Sequence, residues 1–255
     1  MMITMNNLMY NTSVIGSIGF LTGWMGILAG ILASFFINKR NSRIKGTSFG
    51  FIGGLMLAIV CFDLIPEAIK TSNIYITSIG IVIGLIISVL LEGRLDFKHL
   101  PSHNIEYNSF LKSGIFMAIA VGIHHLPIGF ALGSLLSTNP IKGIHLAIAV
   151  VLHGVPEGLA LGIFFNESKI GGLSLILISI LTCIPMGLGA ILGGIISEVS
   201  PALISLSLTF TAGMILYIVS SETIPNARET WKGRLSTIGV VLGLIFGILI
   251  MSFLE

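Results

Sequence analysis

Charge is scarce in this chain. Lys, Arg, Asp and Glu together make up 9% of 255 residues, against 54% apolar residues. A soluble domain carries about a quarter of its residues as charges, so a water-facing surface of the usual kind is excluded. Nucleic-acid binding is excluded with it, because the formal net charge is only +2 and no basic run is present to follow a phosphate backbone. Cysteine is almost missing too. Cys61 and Cys183 both fall within apolar stretches and have no spacing of a disulfide framework. The first apolar stretch has an uncharged leader and is followed by a Lys/Arg cluster, so it is expected to be a retained span rather than a cleaved signal peptide.

What the chain has in quantity is apolar length. A helix needs about 20 apolar residues to cross the hydrocarbon of a bilayer. Windows of that kind lie near 14–37, 49–69, 74–91, 113–137, 142–165, 170–197, 202–221 and 235–254. The expected fold is therefore an all-α polytopic membrane protein with eight transmembrane helices in a lipid bilayer. Positive charge is retained on the cytoplasmic side. With the N-terminus outside, every Lys and Arg except Lys70 and Lys142 falls in a cytoplasmic segment. The expected location is the cell membrane, with both termini extracytoplasmic and a cytoplasmic loop over about 92–112.

Residues 54–68, GLMLAIVCFDLIPEA, align without a gap with residues 213–227, GMILYIVSSETIPNA, at an offset of 159. Ser78 to Ile87 falls on Thr237 to Phe246 at the same offset. The second and seventh spans are five apart and so cross the membrane in opposite senses. An inverted repeat, helices 1–3 and 6–8 around a central hairpin of helices 4 and 5, is expected. Many secondary transporters carry such a repeat, with the substrate site near the midplane. The repeat pairs Asp63 with Glu222, and together with Glu67 these acids are expected at the mouths of an ion pathway.

HHLPIG, from His124 to Gly129, and HGVPEG, from His153 to Gly158, repeat one pattern of His, Pro and Gly inside the fourth and fifth spans. A charged residue at that depth costs about 2.5–3.5 kcal/mol on insertion scales and usually serves a function. His153 and Glu157 are four apart and share a helix face. With His124 and His125 they make an expected ligand set of three imidazoles and one carboxylate, which suits a borderline divalent ion such as zinc better than magnesium or calcium. The alternative for His125 is a buried neutral ring bonded to a helix carbonyl. Pro127 and Pro156 loosen both helices at this level. Met186, on the possible ion pathway, and Cys183 are candidate soft neighbours, although packing is the better explanation of both.

These motifs resemble those of the ZIP (Zrt-, Irt-like protein) family of divalent metal transporters, and most closely its bacterial zinc-uptake branch. The resemblance implies a single transporter domain over 1–255, zinc or a similar divalent metal as transported substrate rather than cofactor, no enzymatic activity, and room for a homodimer. His99 and His103 resemble the metal-binding loop of many members, although a plain solvated loop explains them better. The family motif has acids where this chain has Ile128 and Gly154, and its sixth span carries Met186 where related members place Glu. One central ion is therefore expected instead of two. Two other readings stay open: an intramembrane zinc metallohydrolase, and a metal-binding sensor that does not transport.

Overall fold

In a computed structural model of the chain, the residues described are 2–37, 41–94, 105–196 and 199–252. Eight helices among them are long and apolar enough to cross a membrane. They are α1 (Met2–Ser34), α2 (Ser42–Thr71), α3 (Ile74–Arg94), α4 (Ile105–Thr138), α5 (Pro140–Glu167), α6 (Gly172–Ile196), α7 (Pro201–Thr230) and α8 (Arg234–Ser252). Several run beyond their apolar windows. Helix α2 begins at Ser42, capped by the Asn41 side chain, so Arg43 and Lys45 lie in its first turn instead of in a loop. Helix α4 begins at Ile105, which shortens the connection expected over 92–112. Helix α7 continues through the polar stretch 220–230. Charge ends an apolar window, but it does not end a helix.

The helices pack as two groups. Helix α1 lies against α5 and α6, and α4 lies against α6 and α5; separately, α2 lies against α8, and α3 against α7. Contacts of α4 with α7 and of α2 with α5 join the groups.

Glycine sets the spacing within both groups. Gly54 abuts the Val240 carbonyl and Gly213 the Ile81 carbonyl, while Gly84 abuts the Phe210 carbonyl and Gly243 that of Phe51. In the other group Gly158 abuts the Ile27 carbonyl and Gly129 that of Met186. A Cβ at any of these positions would enter the neighbouring backbone, which is the close approach that small residues permit between membrane helices. Each contact has a counterpart. A shift of 159 carries residues of α1–α3 onto α6–α8, and a shift of 29 carries α4 onto α5.

Helices α2 and α7 also share a defect. Each contains one π-helical turn, Val60–Leu64 and Val219–Thr223, and each turn is closed by an i to i−5 bond, from Ile65 N–H to the Val60 carbonyl and from Ile224 N–H to the Val219 carbonyl. Pro66 and Pro225 follow directly and cannot donate the next helical bond, so the ladder is reset at these places. Asp63 and Glu222 lie in the π turns. Between α2, α4 and α5, the rings of Phe49, Phe110 and Phe164 stack with centroids 4.9–6.4 Å apart. Beside them Lys45 Nζ meets Glu167 Oε2 at 2.7 Å. Together they join α2 of one group to α4 and α5 of the other.

The glycine contacts make a prediction. Gly243→Val forces a side chain against the Phe51 backbone and should destabilise the detergent-solubilised protein by about 1–3 kcal/mol, the usual cost of overpacking. Gly93→Ala, at a site with nothing within 4 Å, should leave the thermal unfolding midpoint unchanged. Equal midpoints for the two variants would remove close helix approach as the basis of the packing.

Candidate metal centre

Three of the four expected ligands come together. One ligand atom each from His124, His125 and Glu157 lies within 4.8 Å of the other two, and all three residues are buried. His124 Nε2 is 3.2 Å from Glu157 Oε1, and His125 Nε2 is 3.6 Å from Glu157 Oε2. One carboxylate thus spans two imidazoles. The two rings stand edge to face, with centroids 5.2 Å apart, because consecutive residues on a helix point about 100° apart.

Backbone carbonyls orient the rings. His125 Nδ1 is 2.9 Å from the Thr182 carbonyl of α6. A carbonyl oxygen only accepts, so Nδ1 carries the proton, and in the neutral ring Nε2 presents a bare lone pair to Glu157. The carbonyl bond expected as the alternative to ligation for His125 is therefore present, and it leaves Nε2 free, as such a bond does in an imidazole that binds a metal. A lone pair facing a carboxylate is repulsive unless a proton or a metal cation lies between. His124 Nδ1 has no hydrogen-bond partner.

His153 departs from the expected set. Its Nδ1 donates to the Ala149 carbonyl one turn back, at 2.6 Å, and this turns the ring away from Glu157. Its Nε2 faces Asp63 Oδ2 at 3.7 Å and has no hydrogen bond. Sharing a helix face with Glu157 did not bring the two side chains to one point. Asp63, expected at the mouth of the second span, instead sits beside mid-helix His153 and keeps 30% side-chain exposure. The two residues form a second, more open pair of opposed acceptors next to the buried cluster.

The remaining residues fall elsewhere. Glu67 is exposed near the end of α2. Glu222 is buried, accepting a bond from the Ser113 hydroxyl and lying 3.4 Å from Asn226 Nδ2. Met186 is fully buried; its sulfur, the Cys183 sulfur and His125 Cε1 all border Gly23. Ile128 is buried in the core. His99 and His103 lie outside the described residues. Sequence reasoning missed the Thr182 and Ala149 carbonyls, for which a sequence carries no signal. It also missed Ser113 and Asn226, which stand in the expected partner helices as ordinary polar residues.

Residues 98–255 match the family described as ZIP Zinc transporter. The chain is similar to the zinc transporter ZupT of Chlorobium chlorochromatii, with 27% identity over 89% of this chain and 91% of that protein. It is likewise similar to zinc transporter ZupT of Campylobacter jejuni, 27% identical over 88% and 91% of the two chains, and to that of Chlorobium limicola, 29% identical over 92% and 96%. The family match covers more than half of the residues and contains the whole His124, His125 and Glu157 cluster, and the chain belongs to the ZIP zinc transporter family.

Proposed function

We propose that this protein carries zinc, or a divalent ion of similar chemistry, across a cell membrane into the cytoplasm, with His124, His125 and Glu157 as the central substrate site. The observation that supports this reading best is the Glu157 carboxylate, buried between two imidazole nitrogens at 3.2 and 3.6 Å. Two neutral nitrogen donors and one carboxylate suit zinc, and a three-residue set leaves the fourth tetrahedral position to water or a passing ligand. An open position of that kind favours release, which a carrier needs and a structural site does not. The ion is the substrate, and no resident cofactor is required.

Asp63 and His153 form the approach to this centre. Both can bind a cation in a place where Asp63 remains partly exposed, so an ion sheds water in two stages instead of one. The orientation with both termini outside rests on the positive charges of the loops and puts the Asp63 side outward. Contacts that interchange under the shifts of 159 and 29 support alternating exposure of the centre, as inverted repeats do in many carriers.

In purified protein, Glu157→Gln should weaken zinc binding by more than about 100-fold, beyond the loss an outer-shell partner brings, whereas His153→Ala should weaken it by less than about tenfold. Isothermal titration separates the two. An equal loss in both variants would restore His153 to the central set. In lipid vesicles, Glu157→Ala should abolish zinc flux. Asp63→Asn should slow it while central affinity, measured by the same titration, holds. Wild-type flux in Glu157→Ala would end the transport reading.

A further inference from the structure

Two sulfur atoms stand beside His125, and the zinc site uses neither. Cys183 and Met186 are three apart on α6 and so share a helix face, and both are fully buried. Gly129, one turn after His125, abuts the Met186 carbonyl, which brings α6 against α4 at this level. Gly23 of α1 has no side chain to fill the gap beside them. The three atoms nearest to the place where its Cβ would lie are Met186 Sδ at 2.6 Å, and Cys183 Sγ and His125 Cε1 at 3.7 Å each. A thioether, a thiol and an imidazole therefore converge on one small cradle, and Cys183 is close enough to His125 to act electrostatically on its ring. Packing alone asks for volume, which Leu or Val would supply. It does not ask for two sulfurs around a nitrogen donor.

We propose that Cys183, Met186 and His125 form a separate binding position for a soft monovalent cation of the copper(I) class, and that its occupation blocks zinc. Thiolate and thioether ligands select such an ion, and imidazole suits copper as well as zinc. Charge points the same way. One thiolate cancels the charge of a monovalent ion, whereas a divalent ion held by the same three groups would keep a positive charge where little water reaches it, which is costly. As the ion binds, the S–H bond of Cys183 gives way to a sulfur–metal bond and the proton leaves to solvent. No electron moves, and one positive charge replaces another.

His125 ties the two positions together. Its Nδ1 donates to the Thr182 carbonyl at 2.9 Å, so Nε2 carries the one free lone pair of the ring. The zinc set of His124, His125 and Glu157 needs that lone pair, and so does the sulfur set. Only one ion at a time can hold it. A soft cation bound to the sulfurs thus leaves zinc with two of its three residues. The binding rests on the placement of Cys183, Met186 and His125, and only the block rests on the transport reading above.

Silver(I), a redox-inert ion of the same class, tests this in Cys61→Ser protein, where Cys183 is the sole cysteine. In detergent and chloride-free buffer, titration should find one silver per chain. Cys183→Ser should weaken its binding by at least about 100-fold, and Met186→Leu, which conserves volume, by at least about tenfold. X-ray absorption at the silver edge, which needs no further substitution, should show two sulfurs and one lighter atom around the ion. Silver should compete with zinc in the same titration. In lipid vesicles it should stop zinc flux, and the silver concentration that halves each protein's own flux should rise at least about tenfold in Cys183→Ser. Equal silver affinity with and without Cys183 would overturn the site. A loss in Cys183→Ser with none in Met186→Leu, or a single sulfur at the silver edge, would mark an isolated thiol and overturn it as well. Silver and zinc bound together, one of each per chain, would overturn the sharing of His125. If silver competes with zinc in detergent while the protein moves no zinc in vesicles, the transport reading fails and the soft site stands.

Discussion

Glu157 keeps a carboxylate where little water reaches it, and most of the architecture around it is explained by what that requires. An unpaired buried charge is strongly destabilising. Here the carboxylate faces two imidazoles from α4 and is offset only when a proton or a cation lies between them, so α4 and α5 must be adjacent and in register at one level. Gly129 and Gly158 bring α6 and α1 against the same level of those helices, backbone to backbone, which excludes lipid and solvent from the cluster. The Thr182 carbonyl on α6 then fixes the proton of His125 on the side away from Glu157. Packing, tautomer and ligand geometry follow from one buried acid.

The second group of helices supplies a different quality. Helices α2 and α7 carry their acids within π-helical turns, where the ladder is already broken and a carboxylate is aimed by an extra residue rather than by the regular 100° step. Asp63 and Glu222 therefore reach across to α5 and α4, and neither depends on a regular helix face. The helices of the buried cluster, α4 and α5, run without such a turn, whereas the acids of α2 and α7 stand at irregular ones.

The eight spans were legible because a bilayer demands about 20 apolar residues, a constraint that leaves a plain mark in composition. The clustering of His124, His125 and Glu157 was legible for the opposite reason, since polar residues stand out in apolar surroundings. The placement of the His153 ring was not. Its spacing from Glu157 is that of one helix face, but ring orientation depends on where Nδ1 finds an acceptor, and the Ala149 carbonyl on its own helix decided that. Asp63 lies within its span because α2 runs on to Thr71, and the π turn that holds it is one that no periodicity announces. Lys45 and Glu167 stand 122 residues apart, and only the fold shows that they meet. The start of α2 and the end of α7 were missed because charged residues at helix ends look like loop.

Crystals of the protein grown with zinc and measured on both sides of the zinc absorption edge give the most direct test of the centre. The strongest anomalous peak should lie between α4 and α5, about 2.0–2.2 Å from a nitrogen of His124, a nitrogen of His125 and an oxygen of Glu157, with one such ion per chain. A strongest peak that lies outside reach of Glu157, or that is ligated by His153 in place of His125, would contradict the account.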